Sequence, residues 1–184
     1  MRGLARWFCP HEYLSSPYAV DFGRLQERGV CGLIVDLDNT LVGYDQVVPG
    51  PGLQEWMQRA RDAGMALCIL TNNHRRERVT GLARSLGTEV LARAGKPRRR
   101  PFRKAMERMG TAPGTTAVIG DQLFTDVLGG KRAGLYTILV RPNSDHEFIG
   151  TRLIRVIERR MLRHFVKAGM VTMPRPRPSD GSHC

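Results

Sequence analysis

Short apolar runs alternate with amphipathic stretches along this chain. The runs VCGLIVDL (30–37), MALCIL (65–70), TEVLA (88–92), TTAVIG (115–120) and LYTILV (135–140) lack strict two-residue polarity. That pattern predicts strands buried on both faces. Between them, apolar positions recur at helical spacing. Leu53, Trp56, Met57 and Ala60 predict one helix that closes at Gly64, and 76–87 predicts a second, also closed by Gly. GKPRRRPFRKAMERMG (95–110) reads as a basic loop feeding a helix, and LFTDVLGGKRAG (123–134) as another helix. Strand and helix alternating about five times predict an α/β fold, a mostly parallel sheet between two helical layers. Residues 1–29 read as a lead-in punctuated by Pro10 and Pro17, with a short helix over 22–29. The domain proper is expected over 30–167, and the Pro- and Arg-rich end, 168–184, is expected to be disordered.

The last predicted helix, TRLIRVIERRMLRHF, is amphipathic. Leu153, Ile154, Ile157, Met161 and Phe165 share one face, and Arg152, Arg155, Arg159 and Arg163 line the other. That apolar face has two uses, covering the protein's own core or dipping into a lipid interface.

Charge sharpens this picture. The net charge is +12, from 29 basic and 17 acidic residues. Such an excess favours polyanionic partners (nucleic acid, anionic lipid or phosphorylated substrates), although a merely solubilising surface gives the same count. The cysteines, Cys9, Cys31, Cys68 and Cys184, form no CxxC pair. Cys31 and Cys68 lie in apolar surroundings and are expected to be buried thiols of a reducing compartment. No run approaches the roughly 20 apolar residues that span a bilayer. The N-terminal apolar run breaks at Pro10, which makes a poor signal peptide. The expected location is cytoplasmic, with peripheral contact on the inner face of the membrane left open.

In a parallel sheet, ligands bind outside the carboxyl ends of the strands. The unusual polar residues fall there: Asp36 and Asp38 after the first core strand, Thr71 after the second, Asp121 after the fourth. Side chains repeat every two residues in an extended chain, so Asp36 and Asp38 project to one side. Carboxylates this close repel unless a cation or shared proton relieves them. With Asp121 they make an oxygen-rich cluster suited to Mg²⁺. Lys96, stiffened by Pro97, would offset the charge of a carboxylate and a phosphate. Thr71 and the backbone amides of Asn72 and Asn73 would donate to phosphoryl oxygens. Phosphoryl transfer needs these parts: a carboxylate nucleophile, an acid/base, a metal and electrostatic clamps. Blander roles stay open. Asp38 and Asn39 could form only a turn, Thr71 only a helix cap, Lys96 only a surface cation, and Asp126 only a helical surface charge.

The series DLDNT, TNN, GKP and GDQLFTD resembles, in that order, the four motifs of the haloacid dehalogenase (HAD) superfamily, spanning Asp36 to Asp126 with no departure at a catalytic position. The resemblance implies a HAD-like Rossmannoid three-layer sandwich and these roles. Asp36 is the nucleophile, becomes an aspartyl-phosphate and also binds Mg²⁺. Asp38 protonates the leaving alcohol and then activates water, and its backbone carbonyl ligates the metal. An aspartate at this second position favours a phosphatase over a dehalogenase. Thr40 fixes the loop, Thr71 binds the phosphoryl group, Lys96 stabilises charge, Asp121 completes the metal site and Asp126 supports it.

Only about 30 residues separate Thr40 from Thr71, and 71–96 holds one helix and one strand, so the enzyme is expected to be capless. An open site reaches phosphate on a bulky carrier, whereas small metabolites usually need closure. EYLSSPYAVDFGRLQERGVCGLIVDLDNTLV, GDQLFTDVLGGKRAGLYTILV and TRLIRVIERRMLRHF are similar to the YqeG-like branch of class IIIA HAD phosphatases, whose members include phosphatidylglycerophosphate phosphatases. That likeness implies a Mg²⁺-dependent phosphomonoesterase acting on phosphatidylglycerophosphate. Two alternatives stand beside it: a capless phosphatase for a nucleic-acid end, phosphoprotein or small phosphometabolite, and a non-catalytic nucleic-acid binder on a HAD scaffold. The basic run Arg98, Arg99, Arg100, Arg103 and Lys104 and the arginines of the last helix could bind anionic headgroups, at about 1 kcal/mol per basic residue near the surface.

Overall fold

The computed structural model describes residues 2–43, 46–143 and 152–174. Its centre is a six-stranded sheet in the order β1-β6-β5-β2-β3-β4, parallel throughout. The strands are β1 (Glu12–Leu14), β2 (Gly32–Val35), β3 (Ala66–Leu70), β4 (Glu89–Leu91), β5 (Thr116–Gly120) and β6 (Tyr136–Val140). The helices are α1 (Arg2–Ala5), α2 (Phe22–Glu27), α3 (Pro51–Asp62), α4 (Arg76–Ser85), α5 (Arg99–Met109), α6 (Leu128–Ala133) and α7 (Arg152–Lys167). Among the described residues, only α3 stands between β2 and β3 and only α4 between β3 and β4, so neither connection carries a cap domain. No helix among the described residues is long and apolar enough to cross a membrane.

The sheet forms because its central strands have something to bury on each side. In β2, Leu33 and Val35 point into a cluster with Trp56 and Met57 of α3 and Val79 and Leu82 of α4. Ile34, between them, points the opposite way, towards Phe102, Ala105 and Met106 of α5. All four β2 residues are buried, so the run shows no alternation. On the α5 side, α6 lies close on β5. A Cβ at Gly130 would stand 2.4 Å from Val118 Cγ1, so only glycine allows that approach.

Three sequence expectations change. The lead-in contains β1, which pairs with β6 and sits at the sheet edge. A three-residue strand reading EYL offers no apolar run to detect. The helix expected over 123–134 divides into a π-helical turn, Leu123–Val127, and α6. Cys31 is exposed just before β2, while Cys9, in the lead-in, is buried.

The largest correction concerns α7. It covers its own core: Phe165 packs with Cys9, Leu123, Val127, Leu139 and Val171. But the buried stripe differs from the one read from hydropathy. Arg155 and Glu158 are buried, whereas Ile154, Val156 and Ile157 are exposed. Arg155 therefore leaves the basic outer face to which periodicity assigned it. Packing continues past α7 through Val171. Residues 175–184, Cys184 among them, lie outside the described residues, as does His146.

Candidate active site

Asp36 follows β2 directly, and its amide still donates to Ile119 O (2.9 Å), holding it in the sheet's register. The chain then turns sharply. Asn39 takes a left-handed φ of 60°, its amide donates to Val42 O at 2.7 Å, and the amides of Leu41 and Val42 converge on Leu37 O. Asparagine tolerates this backbone better than most residues. The turn seats Thr40, fully buried, with Oγ1 3.5 Å from Asp121 Oδ1.

Behind Asp36 lies Lys96, whose Nζ reaches Asp36 Oδ1 at 2.5 Å and Asp126 Oδ1 at 2.6 Å. Asn72 clasps the lysine's backbone from both sides: Lys96 N donates to Asn72 Oδ1 (2.8 Å) and Asn72 Nδ2 donates to Lys96 O (3.2 Å). Asp126 comes from the π-helical turn, and its Oδ2 accepts from Gln122 N and Thr125 Oγ1. A π-turn is a recurrent device at functional sites because it redirects a side chain within a helix. Here it aims Asp126 at the end of β5, into space that Gly120 leaves open: a Cβ at Gly120 would fall 2.3 Å from Asp126 Cγ.

One oxygen of each of Asp36, Asp121 and Asp126 lies within 4.8 Å of the others, and all three residues are buried. Lys96 and Arg155 supply two positive charges against these three carboxylates. Burial pushes the Asp36 carboxyl well above its ordinary range; Lys96 opposes this, and Asp126 and Asp121 add to it. Burial likewise raises Asp121 to about 6, against the pull of Arg155 and with Asp126 adding repulsion. For Lys96 burial acts downwards, but Asp126 and Asp36 outweigh it, so its ammonium is held above the usual lysine range. An under-neutralised, all-oxygen cluster fits a hard divalent cation such as Mg²⁺.

Asp38 occupies a different setting at the rim. Arg78 Nη1 donates to its Oδ1 at 2.7 Å, while Asn73 Nδ2 (2.9 Å) and Thr71 Oγ1 (3.2 Å) donate to its Oδ2. Thr71 Oγ1 accepts from Asn73 N, so that amide, expected to face phosphate, is engaged within the loop. Thr71 does not cap α4, which starts after Arg75. Arg98 precedes α5 with an exposed side chain; its amide bonds to Gly95 O. Arg99, Arg100, Arg103 and Lys104 are exposed beside it, as is His74 next to Thr71.

Two arginines escaped the sequence reading. Arg78 also donates to Gln46 O and Gly43 O at 2.9 Å, tying the loop after β2 to Asp38. Arg155 Nη1 donates to Asp121 O at 2.6 Å, and its Nη2 is ion-paired with Asp121 Oδ2. Glu158 completes this wall by accepting from Phe124 N at 3.0 Å. Spacing held a clue. Arg78 precedes buried Val79 and stands four before Leu82, and Arg155 and Glu158 fall on the stripe of Leu162 and Phe165. A charge at a core position of a helix is a sign of a buried partner.

The sequence pattern of the haloacid dehalogenase-like hydrolases matches residues 1–134. The chain is 38% identical over 168 residues to the Bacillus subtilis (strain 168) protein named probable phosphatase YqeG, covering 91% of this chain and 97% of that one. It is 25% identical over 181 residues to phosphatidylglycerophosphate phosphatase 1, chloroplastic/mitochondrial, of Arabidopsis thaliana, covering 93% of this chain and 52% of that protein. An uncharacterized protein from Listeria monocytogenes serotype 4b shares the fold, with a TM-score of 0.51 at 14% identity over 71% of this chain and 99% of that one. With its four motifs gathered at one sheet edge, this chain belongs to the haloacid dehalogenase-like hydrolases.

Proposed function

We propose that the protein is a Mg²⁺-dependent phosphomonoesterase that works through an aspartyl-phosphate on Asp36, and that its substrate is phosphatidylglycerophosphate. The observation that carries the chemistry is the buried group of Asp36, Lys96, Asp121 and Asp126 with Asp38 on its rim. Asp36 attacks phosphorus while Lys96 holds its other oxygen and offsets the charge that gathers there. The P–O bond to the alcohol breaks, and Asp38 gives that oxygen its proton. Asp38 then takes a proton from water as the water attacks the phosphoenzyme, releasing inorganic phosphate and restoring Asp36. Thr71 and Asn73 orient Asp38 for both transfers. Asp36, Asp121 and Asp126 would hold Mg²⁺, whose charge would shield the phosphate from the carboxylates.

The substrate assignment has separate support. Similarity to the Arabidopsis thaliana enzyme runs along 93% of this chain. The uncapped sheet edge gives a lipid-borne phosphate room, and a +12 chain favours an anionic surface, so peripheral contact with the inner face of the membrane belongs to the proposal.

The test is phosphate release from phosphatidylglycerophosphate in mixed micelles with Mg²⁺, beside Asp36→Asn. Release that vanishes in the variant and with chelator supports both parts. Hydrolysis of an aryl phosphate but not of the lipid keeps the chemistry and removes the substrate. Silence on both overturns the proposal.

A further inference from the structure

A cleft of about 300 Å³ opens beside Asp121, between β1, the end of β6 and α7. Tyr13, Leu139 and Leu162 give it apolar walls, and Arg141 and Arg159 give it cations. The acids that also line it, Asp121 and Glu158, are both engaged by Arg155. Of the three arginines that line it, Arg155 serves those acids, and the other two are differently placed. Arg159 makes no hydrogen bond or ion pair among the described residues. Arg141 makes only a long bond, Nη2 to Pro174 O at 3.5 Å. By contrast, Arg78 and Arg155, which line the candidate site, direct their terminal nitrogens at carboxylates and carbonyls. Among the described residues, neither Arg141 nor Arg159 is paired with a carboxylate.

The cleft is also tied to the nucleophile loop. Two residues beyond Arg141, Asn143 N donates to Asn39 O at 2.8 Å and Asn143 Nδ2 donates to Thr40 O at 2.7 Å. Arg141 N itself donates to Leu14 O of β1. A group bound at Arg141 therefore sits at a defined offset from Asp36.

We infer that this cleft is a binding subsite for a second anionic group of the substrate, a phosphodiester, while the monoester to be cleaved lies at Asp36. The inference rests on the proposed phosphatase reading and deepens it. Guanidinium groups present paired donors that match the two free oxygens of a phosphodiester. The apolar walls beside them suit the carbon chain that joins a diester to its lipid. The same chemistry would accept a free phosphate, so the experiment has to separate the two sources.

The test compares the wild type with Arg141→Gln/Arg159→Gln. One substrate is an aryl phosphate, which has no second anionic group. The other is dihexanoyl phosphatidylglycerophosphate below its micelle concentration. Dihexanoyl phosphatidylglycerol, a diester without a monoester, and inorganic phosphate serve as inhibitors of aryl phosphate hydrolysis. In the double variant, KM for the lipid and Ki for phosphatidylglycerol should each rise about tenfold or more, as loss of charge-assisted contacts predicts. Turnover of the aryl phosphate and inhibition by inorganic phosphate should change less than about twofold, which also shows that the variant is folded. Equal inhibition of both proteins by phosphatidylglycerol, or none in the wild type, overturns the subsite. A wild type that hydrolyses only the aryl phosphate, yet is inhibited by phosphatidylglycerol through Arg141 and Arg159, removes the lipid substrate and keeps the subsite.

Discussion

The deep carboxylate cluster and the Asp38 rim handle negative charge in opposite ways. In the cluster, three buried carboxylates share two cations, and burial raises Asp36 and Asp121 above their ordinary range. At the rim, a single carboxylate faces an arginine, an amide and a hydroxyl. The first arrangement is short of positive charge and so favours a dication. The second fixes the direction of one carboxyl group, which a proton-transfer residue requires. Each region also depends on an arginine delivered by a helix that lies outside the catalytic motifs. Arg78 comes from α4, within the matched family region, while Arg155 comes from α7, beyond residue 134.

The comparison breaks most sharply at Asp36. Asp36→Asn removes the proposed nucleophile and should lower turnover by on the order of 10⁴-fold or more, measured as phosphate release. Next in size is Arg155→Met. Leaving Asp121 and Glu158 buried without their cation should cost about 3–5 kcal/mol in urea denaturation. Mg²⁺ binding measured by calorimetry should weaken with it, and Arg155→Lys should recover part of both. If the site binds Mg²⁺ as assigned, metal at 100 times its Kd adds about 2.7 kcal/mol to the wild type.

A pH series sharpens the contrast further. Burial raises Glu158 to about 7 from 4.5, opposed by the Phe124 amide and Arg155. The folded protein therefore holds a proton that the unfolded chain releases between those values. This contribution is complete below pH 4.5 and is lost as pH rises towards 7, about 3 kcal/mol across the window. Glu158→Gln should flatten that slope in denaturation midpoints, since glutamine still accepts from Phe124 N. The smallest effect is expected at the rim. Arg78→Met should lower kcat by about 10- to 100-fold through misplacement of Asp38, with the Mg²⁺ affinity unchanged. A matching loss of metal affinity would mean that the two regions are not separate.

Much of this site was legible in the chain because its residues lie at strand ends. Asp36, Asp38, Thr71 and Asp121 each follow a recognisable apolar run, and a parallel sheet gathers such positions at one edge. Lys96 was legible as a cation on a loop stiffened by Pro97 near that edge, whereas Asp126 was legible only through motif resemblance, since a helical aspartate looks like an ordinary surface residue. Arg78 and Arg155 were not legible by hydropathy, which assigns arginine to solvent. Each is buried because a carboxylate waits for it beyond the end of a distant strand, 40 residues away for Arg78 and 34 for Arg155. The edge strand β1 was missed for the same kind of reason: three residues carry too little pattern, and β6 supplies their partners.

The sequence by itself determined the alternation of strands and helices, the parallel sheet that follows from it, and the set of carboxylates that the sheet collects. Periodicity and local turn chemistry are properties of neighbouring residues, so they survive in one dimension. Tertiary structure alone decided which face of α7 is buried, which cations neutralise which carboxylates, and which arginines line the cleft beside the site. Those outcomes depend on the cost of desolvating a charge against the gain from a partner across the fold, and that balance exists only once the distant strand ends and helices have met.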